Sequence, residues 1–355
     1  MEIKANYHTH TTFCDGSDTA EDVVKEAIKK GFTHLGFSGH IDPGVRMDFQ
    51  AYDEEIKRLQ SLYSDKIDIL RGVELDNVYD PKSVPGVEYY IGSTHFIPVP
   101  GSEVWERTVE NGTHLETDPD SGLCGVDGSV QVLHDKCKQY FNGDFYEMSA
   151  RYFEFESLIC ERMSPAFIGH FDLITRFNDI SKEDGGHFLD ETSEKYLRPA
   201  RKSLDKLVTY GIPFEINCGA INRGRKKEAY PGPLLLKYIH EIGGEILVSS
   251  DAHQKELLEG GFEEALEASK KAGFDHVNIL VRNPGEGYDP EIYRFPNATR
   301  ENAFGNPAKP DGFLAGAKKP RVRTSNFLGN SMSYRPAKNT WDSEGGCLYW
   351  KRVSI

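Results

Sequence analysis

The chain opens with a stretch suited to metal chemistry, His8-Thr9-His10 followed by Asp15. It comes directly after residues 2–7, which are patterned as a β-strand. Side chains two apart on an extended backbone point to the same face, so both imidazoles can grip one cation with little rearrangement. More donors of the same kind recur behind later strands. His40 follows residues 33–38, Glu74 closes residues 67–73, His95 follows residues 88–92, and His170 follows residues 166–169. Asp251 and His253 follow residues 245–250. Six of the twelve histidines therefore stand just past expected strands. His34 and His276 begin strands and belong at the opposite end. His114, His134, His187 and His240 fall in a loop, helices or an insert and read as ordinary residues.

Nine imidazole and carboxylate donors with no thiolate suit Zn²⁺, Mn²⁺ or Fe²⁺, and suit Mg²⁺ or Ca²⁺ alone poorly. Each zinc-like ion takes four to five ligands and a carboxylate can bridge two, so three ions fit this set better than one. Such a centre attracts phosphate and makes hydroxide available near neutral pH, which is the chemistry of metal-assisted hydrolysis. The sequence has no Gly-x-Ser-x-Gly and no P-loop, so a serine nucleophile and a nucleotide cradle lack support. Cys14 lies beside Asp15, but a small buried residue is the plainer reading. The six cysteines contain no Cys-x-x-Cys pair and give neither a zinc ribbon nor a disulfide framework.

The elements that must position these donors alternate. Helical spacing runs over about 20–30, 49–63, 129–141, 146–163, 192–209, 232–242 and 261–272, between strands that end at the donors. A weak last strand is expected at 276–280. This alternation predicts a parallel sheet with crossover helices, and seven strands without Gly-x-Gly-x-x-Gly favour a closed barrel over an open sheet. In a parallel barrel every strand C-terminus opens on one face, where all nine donors would meet. Residues 97–128 are too long and too rich in Gly, Pro and acidic residues for an ordinary loop, and read as an insertion. We expect a catalytic domain over 1–297 and an irregular, basic extension over 298–355, which holds ten Lys and Arg against four Asp and Glu.

The formal net charge of -14 argues against generic binding to a nucleic-acid backbone. No apolar run reaches the roughly 20 residues of a membrane span, and the N-terminus lacks a signal peptide's apolar core. A cytoplasmic protein without membrane partners is expected. Its oligomeric state is left open.

The order His8-x-His10, Asp15, Gly39-His40, Gly72-Val73-Glu74, His95, Gly169-His170-Phe171-Asp172 and Ser250-Asp251-Ala252-His253 resembles the PHP (polymerase and histidinol phosphatase) family over about residues 1–285. Ile91-Gly92-Ser93-Thr94-His95-Phe96, the insert after it, and His170-Phe171-Asp172-Leu173 with Arg176 resemble the monofunctional histidinol-phosphate phosphatases within that family. The resemblance implies a distorted TIM-like (β/α)7 barrel with an insertion after strand four and an irregular C-terminal tail. It implies three divalent ions, with His8, His10, Glu74 and Asp251 on the first. Glu74 would bridge to a second on His95 and His170, and Asp15, His40 and His253 would hold the third. It further implies phosphomonoester hydrolysis of L-histidinol phosphate, a step of histidine biosynthesis, by attack of a bridging hydroxide. Arg176 would bind phosphate, with Arg223 or Arg225 as a second arginine whose register stays open. Asp251 or His253 would relay the leaving group's proton.

Three other functions compete with this one. One is a PHP phosphoesterase acting on a nucleotide or nucleic-acid end, disfavoured by the acidic body. Another is a metal-dependent amidohydrolase, which calls for a lysine after a middle strand where this chain has His95. The last is a barrel whose metals only stabilise a scaffold.

Overall fold

The computed structural model describes residues 4–116, 119, 121–282, 334–341 and 347–355. Among the described residues, twelve strands follow in chain order: β1 (Ala5–Asn6), β2 (His34–Ile41), β3 (Asp68–Asp76), β4 (Tyr89–Ser93), β5 (Phe96–Pro98), β6 (Leu123–Gly125), β7 (Phe167–Ile168), β8 (Phe214–Asn217), β9 (Ile246–Ser249), β10 (His276–Val281), β11 (Tyr334–Trp341) and β12 (Cys347–Ser354). Seven of them form one sheet in the order β1-β2-β3-β4-β7-β8-β9, and every pair in it is parallel.

Sheet closure comes from the residues just past the two outer strands. Thr9 bridges Ala252 in parallel, with His10 N–H donating to the Ala252 carbonyl at 2.9 Å and Ala252 N–H to the His8 carbonyl at 3.2 Å. The expected seven-stranded, TIM-like barrel is thus what the chain forms. Its distortion is visible between β3 and β4, where a 3-10 turn at Pro81–Ser83 stands in place of a crossover helix.

Local chemistry fixes the helices. Ala20–Lys29 starts at Thr19, whose hydroxyl accepts from Asp22 N–H, and it buries Ala20, Val23, Val24 and Ala27 against the sheet. This is an N-cap followed by apolar residues at helical spacing. Phe49–Leu62 repeats the plan from Asp48, with Tyr52, Ile56 and Leu59 buried. The remaining crossovers carry helices at Phe145–Glu156, Glu194–Leu207, Pro233–Glu241 and Phe262–Ala272. Among the described residues, no helix is long and apolar enough to cross a membrane.

The barrel interior is filled by Tyr89. Its ring lies where a side chain on Gly72 would be, since a Cβ there would approach ring atoms to 2.3 Å. The Tyr89 hydroxyl donates toward the carbonyls of Tyr7 (2.7 Å) and Phe37 (2.9 Å). This plug lies two residues before Glu74 in register, since Gly72 pairs with Tyr89 and Glu74 with Ile91. It closes the floor beneath the carboxylate.

The insertion after strand four contains the antiparallel hairpin β5–β6. Expected weak strand β10 stands outside the barrel, in a second sheet of order β10-β12-β11. The tail is therefore not irregular throughout: β12 runs antiparallel to β10 over six residue pairs. Leu348 and Trp350 alternate inward in that strand, and Trp350 meets Phe167 edge-on at 6.3 Å. The expected boundary at 297/298 lies outside the described residues.

Candidate metal centre

All nine expected donors gather at the C-terminal end of the barrel, around Glu74 near the end of β3. Glu74 is 1 % exposed. Its Oε1 lies 2.8 Å from His170 Nε2 and 3.2 Å from His95 Nε2. Its Oε2 lies 3.1 Å from His8 Nε2, 3.1 Å from His40 Nδ1 and 3.5 Å from His10 Nε2. Asp251 Oδ1 approaches His10 Nε2 at 3.3 Å, His253 Nδ1 at 3.4 Å and His8 Nε2 at 3.7 Å. Asp15 meets His253 Nε2 at 3.0 Å, His40 Nε2 at 3.6 Å and His10 Nδ1 at 3.7 Å. Asp251 adopts a left-handed backbone with φ 49°, a conformation that Asp tolerates better than most residues and that recurs at functional sites.

A second layer of carboxylates orients the rings, and sequence reasoning missed it. Glu215, fully buried on β8, sits with Oε1 at 2.6 Å from His8 Nδ1 and accepts the His170 backbone N–H on Oε2 at 2.8 Å. Ser249 and Asn217 donate to the same carboxylate. Asp76 Oδ2 lies 3.4 Å from His95 Nδ1 and accepts the His95 backbone N–H at 2.8 Å. Asp42 Oδ2 lies 3.1 Å from His40 Nδ1. Glu215 and Asp76 sit on the nitrogens of His8 and His95 that face away from Glu74, where a carboxylate fixes the tautomer of a ligating histidine and raises its basicity, whereas Asp42 shares His40 Nδ1 with Glu74.

The electrostatics follow from this packing. Burial pushes Glu74 up, yet the imidazoles of His8, His40 and His95 outweigh it and hold the carboxyl well below its ordinary range. Asp251 is likewise held down against its burial, by Arg223 and His8. Burial, reinforced by His253 and His40, lowers His10 to about 3 and keeps that ring neutral, as a ligand requires. The Cys14 thiol, 3.6 Å from His10 Nδ1, is pushed up to about 11 by burial and Asp15 and stays protonated.

These residues fit a set of divalent cations. His8 Nε2, His10 Nε2 and His40 Nδ1 face Glu74 yet make no hydrogen bond although buried, and such donors are nearly always satisfied in a folded protein. Three overlapping groups have one donor atom per residue within 4.8 Å of the others: His10, Asp15, His40 and His253; His8, His10 and Glu74; and His40, Glu74 and His95. The grouping differs from the expected one in detail, because His40 joins Glu74 and His95 and His10 joins the Asp15 group. His170 and Asp251 touch these groups without belonging to one.

The chain carries its arginines to the same rim. Arg223 Nη2 lies 2.7 Å from His253 Nδ1 and 3.5 Å from Asp251 Oδ1. Arg176 pairs with Asp127 of the insert at 3.2 Å. Arg176 and Arg225 both stack on Phe177, at 5.7 and 5.8 Å from the ring centre. Burial, then the positive charges of Arg176 and Arg223, lower Arg225. Arg223 thus lies against the cluster itself, and Arg225 lies with Arg176 on Phe177.

The other histidines behave as expected. His276, at the start of β10, pairs with Glu245 at 2.8 Å just ahead of β9, the end of the barrel away from the cluster. His34 begins β2, and His134 bonds the Gly185 carbonyl at 2.7 Å.

The model of the PHP domain family matches residues 6–218. The chain belongs to the PHP family. It is similar to the Bacillus subtilis histidinol-phosphatase, with 22% identity over 71% of this chain and 94% of that protein. A Schizosaccharomyces pombe protein named probable histidinol-phosphatase is 27% identical over 80% of this chain and 91% of its own length. Among solved structures, a candidate histidinol phosphatase from Listeria monocytogenes aligns with a TM-score of 0.60 at 19% identity, covering 74% of this chain and 99% of that one. That likeness supports the barrel fold.

Proposed function

We propose that the protein is a metal-dependent phosphomonoesterase that hydrolyses L-histidinol phosphate to L-histidinol and phosphate. The observation that carries this reading is one buried carboxylate, Glu74, faced by five imidazole nitrogens within 3.5 Å, beside a rim of three arginines. Relatives named for histidinol-phosphatase activity match it over most of their length, which favours this substrate among phosphomonoesters.

His8, His10, Asp251 and Glu74 would hold one ion, Glu74 with His95, His170 and His40 a second, and Asp15, His40, His253 and His10 a third, residues being shared between neighbours. Divalent ions held there supply positive charge to a phosphoryl group and hydroxide near neutral pH. Arg223, at hydrogen-bond distance from His253, presents its charge at the cluster's edge, while Phe177 holds Arg176 and Arg225 to face a dianion. Guanidinium forks match phosphate oxygens in geometry as well as charge. Asp251, kept ionised, serves as the base of the Asp251–His253 edge. The leaving alcohol oxygen takes its proton through water from this edge, whose two groups lie 3.4 Å apart.

Steady-state phosphate release with Mn²⁺ or Zn²⁺ tests this, using L-histidinol phosphate, adenosine bisphosphate and single-stranded DNA. We expect the highest kcat/KM on histidinol phosphate. A higher value on the nucleotide or on DNA refutes the substrate, and no phosphate release from any of them refutes the reaction class.

A further inference from the structure

Three buried donors beside the cluster have no acceptor among the described residues: Arg176 Nε, Arg225 Nη1 and the Tyr230 hydroxyl. Arg176 and Arg225 share the Phe177 ring. The charges that act on the Tyr230 hydroxyl include those of Arg176, Asp172, Arg223 and Asp251, and the Tyr230 ring centre lies 6.4 Å from that of His170. Lys226 Nζ covers the same ring at 5.8 Å. An unpaired buried donor is rare, and one that shares its surroundings with two unpaired guanidinium nitrogens marks a place shaped for an anion.

The fold does not depend on the Tyr230 hydroxyl. Residue 230 is pinned through its backbone, with Tyr230 N–H donating to the Asn217 carbonyl at 3.0 Å and Asn217 N–H to the Tyr230 carbonyl at 2.8 Å. The ring supplies buried apolar surface. The oxygen alone has no hydrogen-bond partner among the described residues.

We propose that Tyr230 is a catalytic residue whose Oη–H donates to a non-bridging phosphoryl oxygen of the bound monoester, alongside Arg176 and Arg225. This rests on the phosphomonoesterase reading above. No covalent change occurs at the tyrosine: burial raises its phenol, so it remains a protonated donor and is no base. Its contribution is a hydrogen bond to developing negative charge in a site already shaped for it.

Tyr230→Phe removes only the oxygen. With metal-loaded protein we expect kcat/KM for histidinol phosphate to fall about ten- to a hundredfold, the range for a hydrogen bond to a charged group. Calorimetric affinity for inorganic phosphate should weaken by a comparable factor. Metal content should be unchanged and Tm equal or higher, because an unpaired buried hydroxyl is lost. A kcat/KM and a phosphate affinity both within twofold of wild type overturn the proposal. So does a fall in Tm that accompanies the loss, since the hydroxyl would then be structural. If the wild-type protein releases no phosphate from histidinol phosphate, the functional reading fails instead, and the difference in phosphate affinity between the two proteins still decides the role of Tyr230.

Discussion

Glu215→Gln isolates the orienting layer from the donors themselves. The Glu215 carboxylate receives four contacts: His8 Nδ1 and Ser249 Oγ on Oε1, His170 N–H and Asn217 Nδ2 on Oε2. Glutamine keeps one oxygen. If its amide nitrogen replaces Oε2, it faces two donors and both contacts are lost. If it replaces Oε1, His8 Nδ1 has to accept, which moves the ring proton to Nε2, the nitrogen 3.1 Å from Glu74 that a metal would take. Either way the loss is about 1.5–3 kcal/mol for each hydrogen bond to the charged group, felt mainly at His8 and His170. We expect metal affinity to fall about 10–100-fold, the usual effect of removing such a partner. Competition with a chromophoric chelator, read beside kcat at saturating metal, measures it. Ser249→Ala is the control, since it removes a contact to the same carboxylate without disturbing the His8 tautomer. Should Glu215→Gln bind metal within threefold of wild type and turn over normally, the idea that Glu215 sets the His8 ring is wrong.

Three further outcomes are expected. Glu74→Ala abolishes turnover and lowers metal stoichiometry with a near-native far-UV CD spectrum; unchanged phosphate release would remove Glu74 from the centre. Trp350→Ala, at a position 2% exposed against Phe167, costs about 3–5 kcal/mol; we propose that the chain's end belongs to the barrel's folding unit, and an unaltered denaturant midpoint argues against that. Burial, with Asp76 adding to it and the Thr94 hydroxyl opposing, raises Glu156 to about 8 from the ordinary 4.5. The folded state therefore keeps a proton that the unfolded chain releases, and this stability is present below about pH 4.5 and lost as pH rises through about 8. Glu156→Gln should flatten the fall in Tm between pH 5 and 8, as differential scanning calorimetry at fixed metal would record; parallel slopes in the two proteins count against a protonated Glu156.

The donors were legible because most of them stand at or just past the C-terminal end of a strand, and a parallel barrel turns that position along the sequence into nearness in space. The insert at residues 97–128 and β10 could be read from composition and spacing too. The orienting carboxylates were less visible, though Asp42 and Asp76 carry a signal: each sits two residues beyond a donor, Asp76 on the same face of β3 as Glu74 and Asp42 just past the end of β2 after His40. Glu215 is the one acid of β8, between Phe214 and Ile216, and only its partners reveal why it is there. Tyr230 could not be read at all, because an unpaired hydroxyl is a property of three-dimensional packing. The strand at Cys347–Ser354 was obscured by a Lys/Arg-bearing segment with weak alternation; pairing with β10 and burial of Leu348 and Trp350 decide its conformation.

The bridge between Thr9 and Ala252 has a consequence for biosynthesis. Donors from the beginning of the chain become neighbours of Asp251 and His253 only when nearly the whole barrel has been made. A nascent polypeptide halted short of residue 253 holds scattered histidines rather than a pocket, so tight cation uptake reports on a finished molecule, and a ribosome-bound fragment has little with which to capture the wrong ion.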